Sequence, residues 1–273
     1  KVFKKITCKT GIAILRMYPS PRDIIDKDIN ELKEELKKDE RNKRIVYRDV
    51  NEYLVLAKEL YKDTIEINIG DREEIKIYLS QYELLENSLK EVKKSIKKLA
   101  KETIEIYEEV TDIKGCGEEE IVSLLAEIGY IENFPNARIL QGYLGLGVRN
   151  EVSGKEVKPA KITKAGSKRS RQMLYHIAMN LVSKNSDWRK VYCYYNSYNR
   201  NNPNTKKEML IAVACKFLRV LYGMMKYKES FDREKLLKSF DFRQCNKEKF
   251  ITEYLGDKGR WQITEEELKE LFG

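Results

Sequence analysis

The residues of this chain most able to do chemistry crowd into one stretch. Lys158, Lys161, Lys164, Lys168, Arg169 and Arg171 follow one another with no acidic residue between them. Thr163, Gly166, Ser167 and Ser170 are interleaved. Lysines and small hydroxyl residues near a helix start suit phosphate oxygens, which fix a protein on a nucleic acid without reading its bases. The competing reading is a solvated basic loop, and the missing carboxylates favour nucleic acid. Just upstream, Arg149 and Lys155 flank Ser153 in Arg149-Asn-Glu-Val-Ser-Gly-Lys155. A serine hydroxyl beside bound phosphates could attack a phosphodiester and form a covalent phosphoserine link. A Ser-Gly pair is also a common surface turn, and no histidine stands nearby in sequence to act as base.

A second candidate is Lys114-Gly115-Cys116-Gly117, followed by the apolar Ile121 and Leu125. This has the shape of a helix-hairpin-helix element, in which backbone N–H groups at a helix start hold a phosphate. Lys114 adds a positive charge, whereas Glu118, Glu119 and Glu120 repel phosphate and suit the helix dipole instead. A plain turn fits equally well. A third set is Trp188, Tyr192, Tyr194, Tyr195 and Tyr198 before Arg200, since aromatics with basic neighbours can stack on unpaired bases. The alternative is that these rings belong to the core.

The elements that must position these residues are mostly helical. Lys9 to Arg16 forms a short helix ending before Tyr18-Pro-Ser-Pro21, where proline stops it. Ile24, Ile29, Leu32 and Leu36 then recur at helical spacing, and a polar helix covers about Arg48 to Tyr61. From Ile75 to Val110, apolar residues recur in alternating steps of three and four for about five heptads, with Thr103 the one polar place. The stripe is narrow for a globular core helix, which predicts an antiparallel or dimeric coiled-coil arm made with a second copy of the chain. A glycine hairpin at Lys114 to Gly117 breaks the register, and a helix from Glu118 to Ile128 ends at Gly129. Further helices cover about Ser167 to Ser183 and Lys206 to Met225, with short strands near Glu151 to Val157. The resulting fold class is mostly α. It divides into a helical lead-in (1–70), a coiled-coil arm (71–110), a compact helical DNA-binding domain (111–228) and a tail of unassigned role (229–273).

Composition narrows the function classes. The 273 residues are 41% hydrophobic and 36% charged, which argues against a fibrous, membrane or globally disordered chain. A net charge of +9 favours a polyanionic partner. The five cysteines are scattered without a C-x-x-C pair. This implies a reducing, cytoplasmic setting without structural zinc. With His176 the single histidine, a multi-histidine metal site is impossible. The apolar stretch Met209 to Met225 carries Lys216 and Arg219 in its middle, so it reads as a buried helix and not a membrane span.

The order of several short motifs resembles the C-terminal domain of the insertion-sequence one-ten family of DEDD transposases, which includes the pilin-gene DNA invertases. The matching segments are Ile113-Lys-Gly-Cys-Gly117, Leu124-Leu-Ala-Glu-Ile-Gly129, Phe134-Pro-Asn-Ala-Arg138, Gly142-Tyr-Leu-Gly-Leu146, Ser153-Gly154, Ile162-Thr-Lys-Ala-Gly166 and Arg171. Lys207, Ala212, Ala214, Lys216 and Leu221-Tyr222 fit the family's closing helix, and Tyr18 to Ile24 its approach to the coiled coil. The resemblance spans about residues 3–228. It implies DNA transposition or recombination through a serine nucleophile, which by motif position is Ser153. The family often carries two serines before this glycine; here Val152 takes the first place.

The resemblance also implies an N-terminal RuvC-like domain whose acids bind divalent metal, Mg2+ being expected, and a structured guide RNA as a further partner. Lys1 falls where that domain would end. The expectation is therefore that this polypeptide binds DNA and self-associates, holds no cofactor itself, and does not cut alone. A non-catalytic nucleic-acid-binding fragment and a coiled-coil assembly protein are the alternatives.

Overall fold

The computed structural model describes residues 9–20, 22–38, 47–60, 69–149, 152–153, 156–157, 161–163, 165–198, 205–256 and 260–273. The chain divides into two compact units, residues 1–92 and 93–273. In the first, α1 (Lys9–Met17), α2 (Arg22–Ile25), α3 (Ile29–Lys38) and α4 (Tyr47–Leu60) lead to the long α5 (Ile69–Thr103). Ala13, Ile14, Ile24, Leu32, Leu36, Val50 and Leu54 form a small core of their own. Their helical spacing puts them on the inward faces of α1 to α4. Arg16 reaches Glu83 and Arg72 reaches Asp23, so two ion pairs tie this core to the first half of α5.

The 35 residues of α5 amount to about 52 Å of helix. Its predicted apolar stripe finds no cover among the described residues: Leu85, Leu89, Val92, Ile96 and Leu99 are each 48 to 69% exposed. The stripe changes role sooner than its spacing suggests. The helix ends at Thr103, whose hydroxyl donates to the Leu99 carbonyl at 2.8 Å, a side-chain bond that competes with helix continuation. Ile106, Val110 and Ile113 then turn into the core of the second unit, with α6 (Tyr107–Thr111) between them.

In that second unit, α7 (Glu118–Ile128), α9 (Lys168–Lys184), α10 (Ser186–Ser197) and α11 (Lys206–Tyr227) share one core with the short α8 (Ala137–Gln141). Leu174, Ile177, Ala178 and Leu181 of α9 sit at helical spacing and are fully buried, as are Val213, Phe217, Leu218 and Leu221 of α11. The Gly115 turn lies flat on α9. Its φ is +108°, and a Cβ there would come within 2.9 Å of the Asn180 carbonyl oxygen and the Leu181 Cα. Only a residue without a side chain allows that approach. Helix α11 begins with a capping box, Thr205 with Glu208, and its buried face settles Met209 to Met225 as core. No helix among the described residues is long and apolar enough to cross a membrane.

Residues 229–273 belong to the same core. Here α12 (Arg233–Lys238), α13 (Lys247–Leu255) and α14 (Glu265–Phe272) close over α10. Three neighbouring residues of α10 hold them. Asp187 pairs with Arg233 at 2.9 Å. The Arg189 guanidinium donates to the last carbonyls of α13, at 2.6 Å to Tyr254 and 2.6 Å to Glu253, and lies over the Trp261 ring. Lys190, only 2% exposed, pairs with Glu267 at 2.7 Å, and that bond holds the Glu267 carboxyl below its ordinary range. Glu267 also completes the capping box of α14 with Thr264.

Candidate nucleic-acid interface

Lys168, Arg169 and Arg171 lie on α9, whereas Arg149, Ser153 and Lys161 lie on one strand hairpin. Its base is an antiparallel ladder of β1 (Val148–Arg149) and β4 (Lys161–Ile162). Beyond it, β2 (Val152–Ser153) pairs with β3 (Glu156–Val157), placing Ser153 opposite Glu156. Thus Arg149 and Lys161 face each other across the base, and Ser153 sits in the outer ladder. Lys155, Lys158 and Lys164 lie outside the described residues, as do the side chains of Arg149, Ser153 and Lys161.

From this base the chain enters α9 through a tightly docked turn. Gly166 has φ +86°, and a Cβ there would meet the carbonyl oxygens of Tyr143 at 2.5 Å and Gly142 at 2.7 Å. Those carbonyls belong to Gly142–Leu146, a π-type turn that continues α8 and kinks at Gly145, where φ is +81°. The Ser167 amide donates to the Tyr143 carbonyl at 3.2 Å, and Arg171 donates to the Gly145 carbonyl at 3.1 Å. Arg171 is therefore half-buried and holds the turn against the helix, while Lys168 and Arg169 stand exposed in the first turn of α9. No ion pair joins either of them to a carboxylate among the described residues. The hydroxyls are less open than their types suggest. Ser170 is fully buried and donates to Ser167, which caps α9 by accepting from the Ser170 amide.

The hairpin at Lys114 is arranged differently. Lys114 is exposed, but the start of α7 is taken up by the protein's own charges. Glu118 pairs with Lys97 at 2.6 Å and Glu119 with Lys93 at 2.7 Å. Tyr107 also donates to Glu118, which pushes the phenol up to about 12, and the Lys97 and Tyr107 bonds hold the Glu118 carboxyl low. Carboxylates in this first turn suit the helix dipole and disfavour a phosphate there.

The aromatic set divides. Trp188 is fully buried between Phe217 and Phe231, Tyr192 is buried, and Tyr194 packs on Phe240 at 4.8 Å between ring centres. Tyr198 donates to Gln244 at 2.8 Å. Arg200 lies outside the described residues. These rings anchor residues 229–273, a segment whose packing the spacing of the upstream aromatics did not reveal. Conversely, Tyr143 stands 50% exposed beside the start of α9, and sequence reasoning passed over it. It lies four residues after the exposed Ile139, on the edge away from the buried Leu140 and Leu144.

Residues 107–193 match the family model described as Transposase IS116/IS110/IS902 family. This segment is similar to those transposases. The match begins at the first residue of α6 and ends inside α10, so it takes in the hairpin, the π turn and α9. No curated protein matches the chain. Among the described residues, no group of three or more His, Cys, Asp or Glu could hold a metal ion.

The docked turn is open to a direct test. Gly166→Ala should cost about 1–3 kcal/mol, because it combines a positive φ with a backbone collision. Gly142 has a helical φ of −63° and nothing within 4 Å of its added Cβ. Gly142→Ala should instead stabilise by about 0.4–1 kcal/mol. Urea unfolding midpoints distinguish the two, and equal effects would mean that the Gly166 turn does not pack as described.

Proposed function

We propose that this chain is the nucleic-acid-handling part of an insertion-sequence transposase, acting in DNA transposition or recombination. The observation that carries this reading is the family match over the segment that displays Lys168 and Arg169 without carboxylate partners among the described residues. In this reading Lys168 and Arg169, with Arg149, Lys155, Lys158, Lys161 and Lys164, neutralise DNA phosphates. Arg171 shapes the surface they stand on. Lys114 lies apart from this group and contributes charge only.

Ser153 is the nucleophile in this proposal. Its Oγ attacks the phosphorus of a phosphodiester, a P–Oγ bond forms, and the bond from phosphorus to one sugar oxygen breaks. The serine proton is lost, and the released sugar oxygen gains one. The hydroxyl is a weak nucleophile unless activated. In the family the activating metal is expected from RuvC-like acids, so the proposal assigns cutting to a protein that also contains them, and binding alone to these residues. A structured guide RNA would be a second polyanion for the same surface. The exposed stripe of α5 supports self-association, since a contiguous apolar face of this length is rarely left in water.

Binding to a labelled duplex, followed by anisotropy across a salt series, tests the phosphate contacts. The Lys168→Ala/Arg169→Ala double variant should bind more weakly, and the slope of log K against log salt should become shallower by about 2. An unchanged slope would take these two residues out of the interface. In a protein that also carries the acidic domain, Ser153→Ala should keep DNA binding and lose strand exchange; surviving exchange assigns the nucleophile elsewhere. For the arm, sedimentation should show a dimer or larger assembly that Leu85→Glu/Leu89→Glu returns to monomer. A monomeric parent chain would remove the coiled-coil reading.

A further inference from the structure

We propose that Tyr143 is a base-stacking residue, taking an unpaired base of the nucleic acid whose backbone lies on Lys168 and Arg169. The inference rests on the nucleic-acid reading given above and names what that surface recognises beyond phosphate.

The first observation is where the ring sits. Leu140 and Leu144, four residues apart, are fully buried. Ile139 and Tyr143, also four apart, are each 50% exposed. The α8 segment and its π turn therefore bury one edge and present the other. Tyr143 faces outward, as Tyr130 and Tyr227 do elsewhere in a unit that buries Trp188, Phe217, Phe250 and Tyr254.

The second observation is that the ring is supported. Phe134, itself buried, lies beneath it at 5.3 Å between ring centres with a tilt of 54°. A tyrosine with two side-chain torsions, held from below, loses little entropy when something flat settles on it.

The third is its neighbourhood. The Tyr143 carbonyl accepts the Ser167 amide, so the exposed ring is borne by the residue that abuts the start of α9. Lys168 and Arg169 follow immediately, and the sequence from Lys158 to Arg171 holds no acid. A surface that couples free cations to a flat apolar ring fits a polyanion that carries flat apolar groups. Base–aromatic stacking tolerates any base, because every base has a π face. In a continuous duplex those faces are already covered. The preferred ligand is therefore DNA or RNA with an exposed base, at a bulge, a strand end or a single-stranded stretch, as arises wherever strands are opened and rejoined.

The full chain is tested on two probes, a fully paired DNA duplex and the same duplex carrying one unpaired fluorescent purine. The parent chain should prefer the second probe and quench its fluorescence. Tyr143→Ala should lose the quenching and about tenfold or more in affinity for the unpaired probe, with its salt slope unchanged. Tyr143→Phe and Tyr143→Trp should retain both. If Tyr143→Ala keeps the preference and the quenching, the stacking role is overturned. The phosphate reading then still stands if the Lys168→Ala/Arg169→Ala variant shows its shallower slope. A parent chain that binds neither probe overturns both. Because the ring is half-exposed, the alanine variant should remain folded, with a midpoint lowered only by loss of the Phe134 contact. The phenylalanine and tryptophan variants separate ring loss from any local rearrangement.

Discussion

The contact on which the interface depends is backbone against backbone. The Gly166 turn lies so close to the carbonyls of Gly142 and Tyr143 that a methyl group could not fit between them. That approach brings the Ser167 amide onto the Tyr143 carbonyl and aims the first turn of α9 outward. Arg171 seals the junction by donating to Gly145. One basic residue is thus spent on holding the turn, which leaves Lys168 and Arg169 exposed on a rigid base. Charges carried on a rigid element are better placed for recognition than charges on a free loop.

A second constraint acts at α7. Every charged residue of α5 from Lys93 to Lys101 is a lysine, and Lys93 and Lys97 find their partners in Glu119 and Glu118. The acidic triplet that looked hostile to phosphate is thereby explained as the partner of the long helix. Exposed ion pairs of this kind contribute little individually. Their effect here is to direct the chain: α5 ends, Ile106 and Val110 turn inward, and the glycine hairpin is pressed onto α9.

The elements were largely legible in the sequence, because helical periodicity and caps are local signals. The helices beginning at Lys9, Glu118, Lys168 and Lys206 lie close to where spacing and capping placed them, and Gly129 ends α7 as expected. The long helix was legible too, but not its end at Thr103, where packing of Ile106 and Val110 overrides an unbroken heptad pattern. The site was legible as a cluster of charge and not as a surface. Nothing in the spacing separates Arg171, which is used internally, from Lys168 and Arg169, which are not. Nor does it show that Ser170 is buried, or that Tyr143 is exposed. Each of those facts depends on a contact between residues distant in the chain.

Arg189, Lys190 and Asp187 also bear on what can be separated from what. All three fall within the segment similar to the transposases, yet their partners lie at Tyr254, Glu267 and Arg233, well beyond it. The region that a family shares and the region that folds together therefore have different borders. A version trimmed to the shared stretch would take Glu267 from Lys190 and uncover the Trp188 ring, which packs on Phe231. The segment after Lys228 packs over this core, and its contacts with the matched stretch pass through a single helix, α10.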